Sequence, residues 1–285
     1  MNYITKNNIS YVCDFGSQMS EYACLYSISK KLGNEVLFFK ENINPRFGLP
    51  LIEPFIKPAK VVSVNDVTDS KTFKISSNSI KHTETLNPNL NYDSIDLIGM
   101  YTEFHDIKDE IVNLFEFKEE IINFCKNYLN DIKKNNEILI SVHFRLGDYI
   151  QNASLHLNMQ YYMEAHQYMS KKYDNIKLLI FSNDIEWCKN NIKGNCIFVE
   201  NLNRFQDMCL MTLCDHNIIA NSTFSWWGAY LNKSIHKEVI CPYHYLNDNN
   251  WNHIVNGKYY PPEWVALQNQ SDFNYRNQSY NNFKL

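Results

Sequence analysis

With 285 residues, 45% of them hydrophobic, this chain can bury the core of one large or two modest domains, so a globular, enzyme-sized protein is the default. A formal net charge of −4, with lysines spread along the chain rather than gathered in a block, leaves no electrostatic footprint for nucleic acid. The eight cysteines, at 13, 24, 125, 188, 196, 209, 214 and 241, form no CxxC pair and lie mostly in apolar runs, which reads as reduced core thiols rather than a disulfide framework.

The N-terminal "MNYITKNNIS" lacks the basic and apolar halves of a signal peptide, and no apolar run approaches the ~18 residues of a membrane helix. The expectation is a cytoplasmic chain without a transmembrane segment, whose membrane contact, if any, is peripheral. From Gly16, read as a glycine turn, "GSQMSEYACLYSISKKLG" has the spacing of a helix ending at Gly33, with "EVLFF" as a following strand. Residues 57 to 98 carry short β-like runs between polar stretches and no strong period. "DEIVNLFEFKEEIINFCKNYLNDIKK" predicts one or two amphipathic helices running to about residue 134, taken as the joint between domains 1–134 and 135–285. Beyond it, strands ("EILISVHF", "IKLLIFS", "CIFVE", "HNIIA", "EVICP") alternate with helices ("NMQYYMEAHQYMSKKY", "DIEWCKNNI", "FQDMCLMTLC", "SWWGAYLN"). Nearly continuous apolar strands separated by helices predict an α/β fold whose parallel sheet is covered on both faces, with ligands beyond the carboxyl ends of its strands.

Three such strand ends carry unusual chemistry. After "ILISVHF" come Arg145 and Asp148, beside His143; a planar guanidinium there suits a phosphate-bearing ligand, although an Arg145–Asp148 pair pinning a loop reads equally well. After "LLIFS" come Asn183 and Asp184. After "HNIIA" come Asn221, Ser222, Thr223 and Ser225, at the cap and first turn of a helix whose free N–H groups favour an anion such as a diphosphate; the competing reading is an ordinary cap. Trp226 and Trp227 read as core. No metal-ligand spacing, Walker loop, GxGxxG or GxSxG is present, which disfavours catalytic metal, kinase-like, NAD-dependent and α/β-hydrolase chemistry.

Taken together, "HFRLGD" (143–148), "FSNDIEW" (181–187) and "NSTFSWWGAYLN" (221–232) resemble, in order and in spacing, the motifs of the inverting α-1,2-fucosyltransferases, glycosyltransferase family 11. "DFGSQMSEYA" keeps Gly16, Gln18, Met19, Tyr22 and Ala23 of that family's opening motif, and the resemblance extends over most of the chain outside 57–98. One departure stands out: Leu146 occupies the place of the family's second arginine in His-x-Arg-Arg-x-Asp.

The resemblance implies two Rossmann-like domains facing a cleft, the GT-B arrangement, with a nucleotide-sugar donor, GDP-fucose, bound by the C-terminal parallel sheet and a glycan acceptor served by the N-terminal domain. It implies no metal or other cofactor. Arg145 would hold the diphosphate and stabilise the leaving group, with Asp148 orienting its loop. His143 and Asp207 would read the base, Ser222, Thr223 and Ser225 would donate to phosphate oxygens, and Asp184 and Asn221 would complete the donor site. Asp14 and Glu21, near Gly16 and Gln18, would supply the acceptor side and its general base. Two alternatives stay open: a transferase for another nucleotide-activated deoxyhexose, and a noncatalytic nucleotide- or glycan-binding protein.

Overall fold

The computed structural model describes residues 3–6, 14–43, 48–63, 72–75, 104–134, 136–149, 152, 155–245, 259–269 and 283–284. The chain divides into two compact units, Met1–Lys118 and Glu119–Leu285. The division falls inside the helical stretch around residue 119 rather than at its end.

The first unit contains strand β1 (Tyr3–Lys6), helix α1 (Phe15–Leu32), strands β2 (Glu35–Val36), β3 (Phe38–Phe39), β4 (Val61–Val62) and β5 (Thr72–Ile75), and helix α2 (Lys108–Leu114). Its described strands form a parallel sheet ordered β2-β1-β5 and a parallel β3–β4 pair. The expected "EVLFF" strand is thus two short strands interrupted at Leu37, because its halves pair with different partners. Gly16 also differs from expectation. It lies in the first turn of α1, while Asp14 caps the helix by accepting from the Ser17 N–H at 3.5 Å. An aromatic cluster fills the core: Phe55 packs with Phe15, Phe115 and Phe117 at ring separations of 5.9, 5.1 and 5.2 Å. Such rings supply large buried apolar areas in a small unit.

The second unit begins with α3 (Glu119–Ile132). It continues with β6 (Ile138–Phe144), α4 (Met159–Ser170), β7 (Ile176–Ser182), α5 (Ile185–Asn191), β8 (Ile192–Lys193), β9 (Cys196–Phe198), α6 (Arg204–Leu213), β10 (His216–Ile218), α7 (Thr223–Tyr230), β11 (Val239–Pro242), β12 (Val265–Leu267) and β13 (Phe283–Lys284). Six strands form one sheet in the order β12-β11-β10-β6-β7-β9, every neighbour parallel. Counted along the chain, that order is 3-2-1-4-5-6 from the β9 edge, the doubly wound pattern. The direction of winding reverses between β6 and β10, and there the connecting chains leave in opposite directions and open a crevice.

The period of two along the strands assigns faces. Ile140, Val142 and Phe144 of β6 share a buried cluster with Tyr161, Tyr162, Ala165 and Met169 of α4 and Cys188 of α5. The alternate residues, Ser141 and His143, face the side of α6 and α7: Ser141 accepts from Asn217 Nδ2, which also donates to Met211 O of α6, and the His143 ring meets Phe224 of α7 at 5.8 Å. Trp226 and Trp227 are 2% and 0% exposed, core residues as expected. Cys24, Cys125, Cys188, Cys196, Cys209, Cys214 and Cys241 are free thiols, all buried but the half-buried Cys196; Cys13 lies outside the described residues. Among the described residues no helix is long and apolar enough to cross a membrane.

Candidate functional site

At the reversal point the chain from β6 turns sharply. Gly147 adopts φ +59°, a left-handed conformation that glycine takes without a Cβ penalty, and a Cβ there would stand 2.7 Å from Asn183 Nδ2. Asn183, just past β7, clamps this turn from both sides: its Oδ1 accepts from Leu146 N at 2.8 Å and its Nδ2 donates to Leu146 O at 3.2 Å. The clamp fixes the loop that carries Arg145. Arg145 is half-buried and its guanidinium lies over the Tyr149 ring, 4.9 Å from its centroid, a cation–π contact. Asp148 belongs to the short 3-10 turn Gly147–Tyr149, and its side chain lies outside those described.

Leu146 explains its own departure from the family pattern. Only 5% exposed, it belongs to the apolar cluster on the α4 side. An arginine stem in this rotamer would push a guanidinium into hydrocarbon.

The third strand end meets the first. Ser222 caps α7 in extended conformation yet makes no side-chain cap hydrogen bond, so its hydroxyl does not serve the helix's first N–H groups. This differs from the ordinary-cap reading. Asn221 holds the turn in place: its Nδ2 donates to Leu155 O and Tyr245 O, both at 2.8 Å, while its buried Oδ1 has no hydrogen-bond partner among the described residues. Ser225 is 1% exposed; its Oγ accepts from Ala220 N at 3.2 Å and closes the turn from inside. Thr223 stands in the first helical turn. The helix is anchored tightly to α6, since a Cβ on Gly228 would lie 2.8 Å from Met211 Cβ and Sδ. "NSTFSWWG" therefore combines a polar turn, two core tryptophans and a close-approach glycine.

His143 is buried, and its Nδ1 has no partner among the described residues. Burial, and secondarily the Arg145 charge, hold its pKa down at about 3, so the imidazole is neutral across the physiological range. Its carbonyl accepts from the Tyr162 hydroxyl at 3.1 Å. Asp207, on the first turn of α6, lies on the same side of the sheet; burial raises its carboxyl to about 6.

Further residues were proposed from the sequence. The Asp184 carboxylate caps α5, accepting from Trp187 N at 3.1 Å, and the clamp falls to its neighbour Asn183. Asp14, Gly16, Gln18 and Glu21 lie on or before α1 in the first unit, with Gln18 buried at 1% exposure. Two tyrosines also take part. Tyr149 sits under Arg145, and Tyr161 donates to both Ile219 O and Ile240 O, tying the ends of β10 and β11 together. Tyr149 directly follows Asp148 in the motif stretch, whereas Tyr161 looks like any aromatic on an amphipathic helix and escaped notice in the sequence. Among the described residues no group of three or more His, Cys, Asp or Glu is placed to hold a metal ion.

The comparisons agree with this architecture. The O-antigen biosynthesis glycosyltransferase WbnK of Escherichia coli is 37% identical over 156 residues, 50% of this chain and 51% of that protein. An alpha-1,2-colitosyltransferase of Escherichia coli is 34% identical over 152 residues, 48% and 51% of the two chains. Galactoside alpha-(1,2)-fucosyltransferase 2 of Bos taurus is 25% identical over 250 residues, 78% and 68%. The match to each bacterial relative thus spans about half of that protein's length. Among solved structures, POFUT1 in complex with GDP-fucose superimposes with a TM-score of 0.53 at 11% identity, covering 84% of this chain and 97% of that one. NodZ alpha-1,6-fucosyltransferase co-crystallized with GDP does so with 0.53 at 12%, covering 80% and 91%. At these identities the likeness is one of fold. The sequence pattern of glycosyl transferase family 11 matches residues 1–268, nearly the whole length, and the chain belongs to that family.

Proposed function

We propose that this protein transfers L-fucose from GDP-fucose to a galactose-type hydroxyl of a glycan, forming an α-1,2 linkage with inversion and without a metal ion. The observation that carries the reading is the convergence of the clamped Arg145 loop and the Ser222–Thr223 helix start on the point where the sheet reverses. A permanent cation and the dipole of a helix N-terminus together compensate a diphosphate, the role that a divalent ion fills in other transferases. The C-terminal unit, 135–285 in this reading, binds the donor. Residues 1–134 form the acceptor-side domain.

In this mechanism the acceptor oxygen attacks the anomeric carbon as its bond to the distal phosphate oxygen breaks, and the electron pair leaves with GDP. Arg145 receives the developing charge, and Asp148 orients its loop. Ser222 and Thr223 donate to phosphate oxygens, while Asn221, Ser225 and Asp184 shape the surrounding turns. The acceptor proton passes to a general base, for which Asp14 and Glu21 are the candidates, beside Gly16 and Gln18. Guanine is read by the Asp207 carboxylate, which accepts from N1–H and the 2-amino group, and by the neutral His143 imidazole. Leu146 together with the colitosyltransferase relative favours one second reading, a donor whose sugar is a different deoxyhexose.

Incubation with GDP-fucose and a β-galactoside, with the product linkage assigned by NMR, tests the proposal. An α-1,2-fucosylated product formed in the presence of EDTA is expected. Binding of GDP-fucose without turnover on any galactoside would overturn it in favour of a noncatalytic binding protein.

A further inference from the structure

On the α6 and α7 side of the sheet lies a buried polar network whose members meet no part of the donor. Asn217, the middle residue of β10, is fully buried, as are Ser141 and Asn232 beside it. Asn217 Nδ2 donates to Ser141 Oγ of β6 at 2.7 Å and to Met211 O of α6 at 2.8 Å, so both of its N–H groups are used. Its Oδ1 accepts from Asn232 Nδ2, just past α7, at 3.0 Å, and the same Asn232 amide donates to Cys214 O at 2.8 Å. One side chain thus joins β10 to β6, to α6 and to the end of α7.

Where these bonds fall decides what they hold. Met211 and Cys214 stand in the last turn and at the C-cap of α6, where backbone carbonyls find no partner within the helix. The two asparagines supply those partners. The Met211 side chain is also pinned by the close approach of Gly228 of α7. A shift of α6 along its axis, or away from β6, therefore breaks a bond to Asn217. Asp207 lies four residues before Met211, on the same face of α6 and about 6 Å along its axis. Ser141 lies two residues before His143, on the same face of β6. The two groups assigned to the base are thus carried by the two elements that Asn217 ties together.

We propose that Asn217 is a positioning residue for nucleobase recognition, which through Ser141 and Met211 sets Asp207 against His143 and so fits the carboxylate to the guanine edge. The inference rests on the base-reading role of Asp207 proposed above and adds a residue that acts through it. A hydrogen bond weakens steeply once its geometry is lost, whereas the attraction of a cation for a diphosphate falls off slowly with distance. A displaced α6 therefore costs base discrimination more than it costs phosphate binding.

Calorimetric titration of the full chain with GDP and with inosine diphosphate, whose base lacks only the 2-amino group, tests it. The wild-type protein is expected to bind GDP about 10- to 100-fold more tightly, the worth of one hydrogen bond to a carboxylate. In Asn217→Ala the two affinities should come within about threefold of each other. A loss of folded protein alone weakens both nucleotides equally and leaves their ratio unchanged, so the ratio separates positioning from stability. Ser141→Ala removes one bond of the network and a single oxygen atom, and it should lower the ratio by a smaller factor. A wild-type ratio near one overturns the base-reading role of Asp207 and this inference with it. A wild-type preference for GDP that is undiminished in Asn217→Ala, or in Ser141→Ala should the melting curve show that Asn217→Ala does not fold, overturns the positioning role alone.

Discussion

Replacing Gly147 with alanine perturbs the Arg145 loop without touching any group proposed to meet the donor. Two costs arise at once. A non-glycine residue at φ +59° costs about 1–2 kcal/mol. The new Cβ, 2.7 Å from Asn183 Nδ2, also displaces an amide whose two hydrogen bonds to Leu146 are worth about 0.5–1.5 kcal/mol each. The total, about 2–5 kcal/mol, shifts the loop toward a displaced state by roughly 30- to 3,000-fold, at about 1.4 kcal/mol per factor of ten. GDP affinity measured by calorimetry should therefore fall at least about tenfold, and the melting midpoint should drop because Leu146 leaves its apolar cluster. A double-mutant cycle isolates the clash: in an Asn183→Ala background the same glycine substitution should cost less than in the wild type, since its collision partner is gone. Wild-type GDP affinity and an unchanged melting midpoint in Gly147→Ala would refute the idea that this clamp positions Arg145.

Arg145→Ala should reduce transfer by about 100- to 1,000-fold without unfolding the protein, and Arg145→Lys should rescue poorly because a point charge lacks the planar fork; unimpaired turnover in the alanine variant would contradict the assignment. Asp207 gives a pH signature. Its carboxyl, raised by burial from 3.8 to about 6, holds a proton more tightly in the folded state, so its contribution to stability is full below its ordinary value and is lost as pH rises through about 6. Asp207→Asn should consequently raise the melting midpoint at neutral pH and change little below about pH 4. GDP affinity should weaken as pH falls through about 6, where the carboxylate loses its acceptor role, and a flat profile would exclude Asp207 from base reading. His143, held near 3, should add no step to that profile between pH 5 and 8. Leu146→Arg should destabilise the protein, because residue 146 packs among apolar side chains; a gain in both stability and GDP affinity would contradict that placement.

The second unit was legible in the sequence because buried parallel strands advertise themselves: "ILISVHF" and "IKLLIFS" are nearly continuous apolar runs, and each forms a strand. The polar turn before α7 was legible as well, since a polar cluster followed by an apolar run marks a helix start. The strand order was not, because the return of the chain from β9 across the sheet to β10 depends on long-range packing of α6 on α3 and α7. Reading a single strand in "EVLFF" missed its division between two partners, a choice made by pairing rather than by local propensity. Asn183 and Leu146 show the same limit at the site. The Asn183 side chain meets the Leu146 backbone across 37 positions of sequence, and only the fold reveals that one clamps the other. The short β8, β12 and β13, two or three residues each, carry too little period to be recognised.

Calorimetric titration of the purified chain with GDP and with UDP tests the central claim most directly. Guanine offers Asp207 a paired N1–H and 2-amino edge, whereas uracil offers a single N–H, so GDP is expected to bind at least about tenfold more tightly, with the preference reduced in Asp207→Asn. A preference for UDP, or no binding of either nucleotide, would contradict the assignment of this site to a GDP-activated sugar.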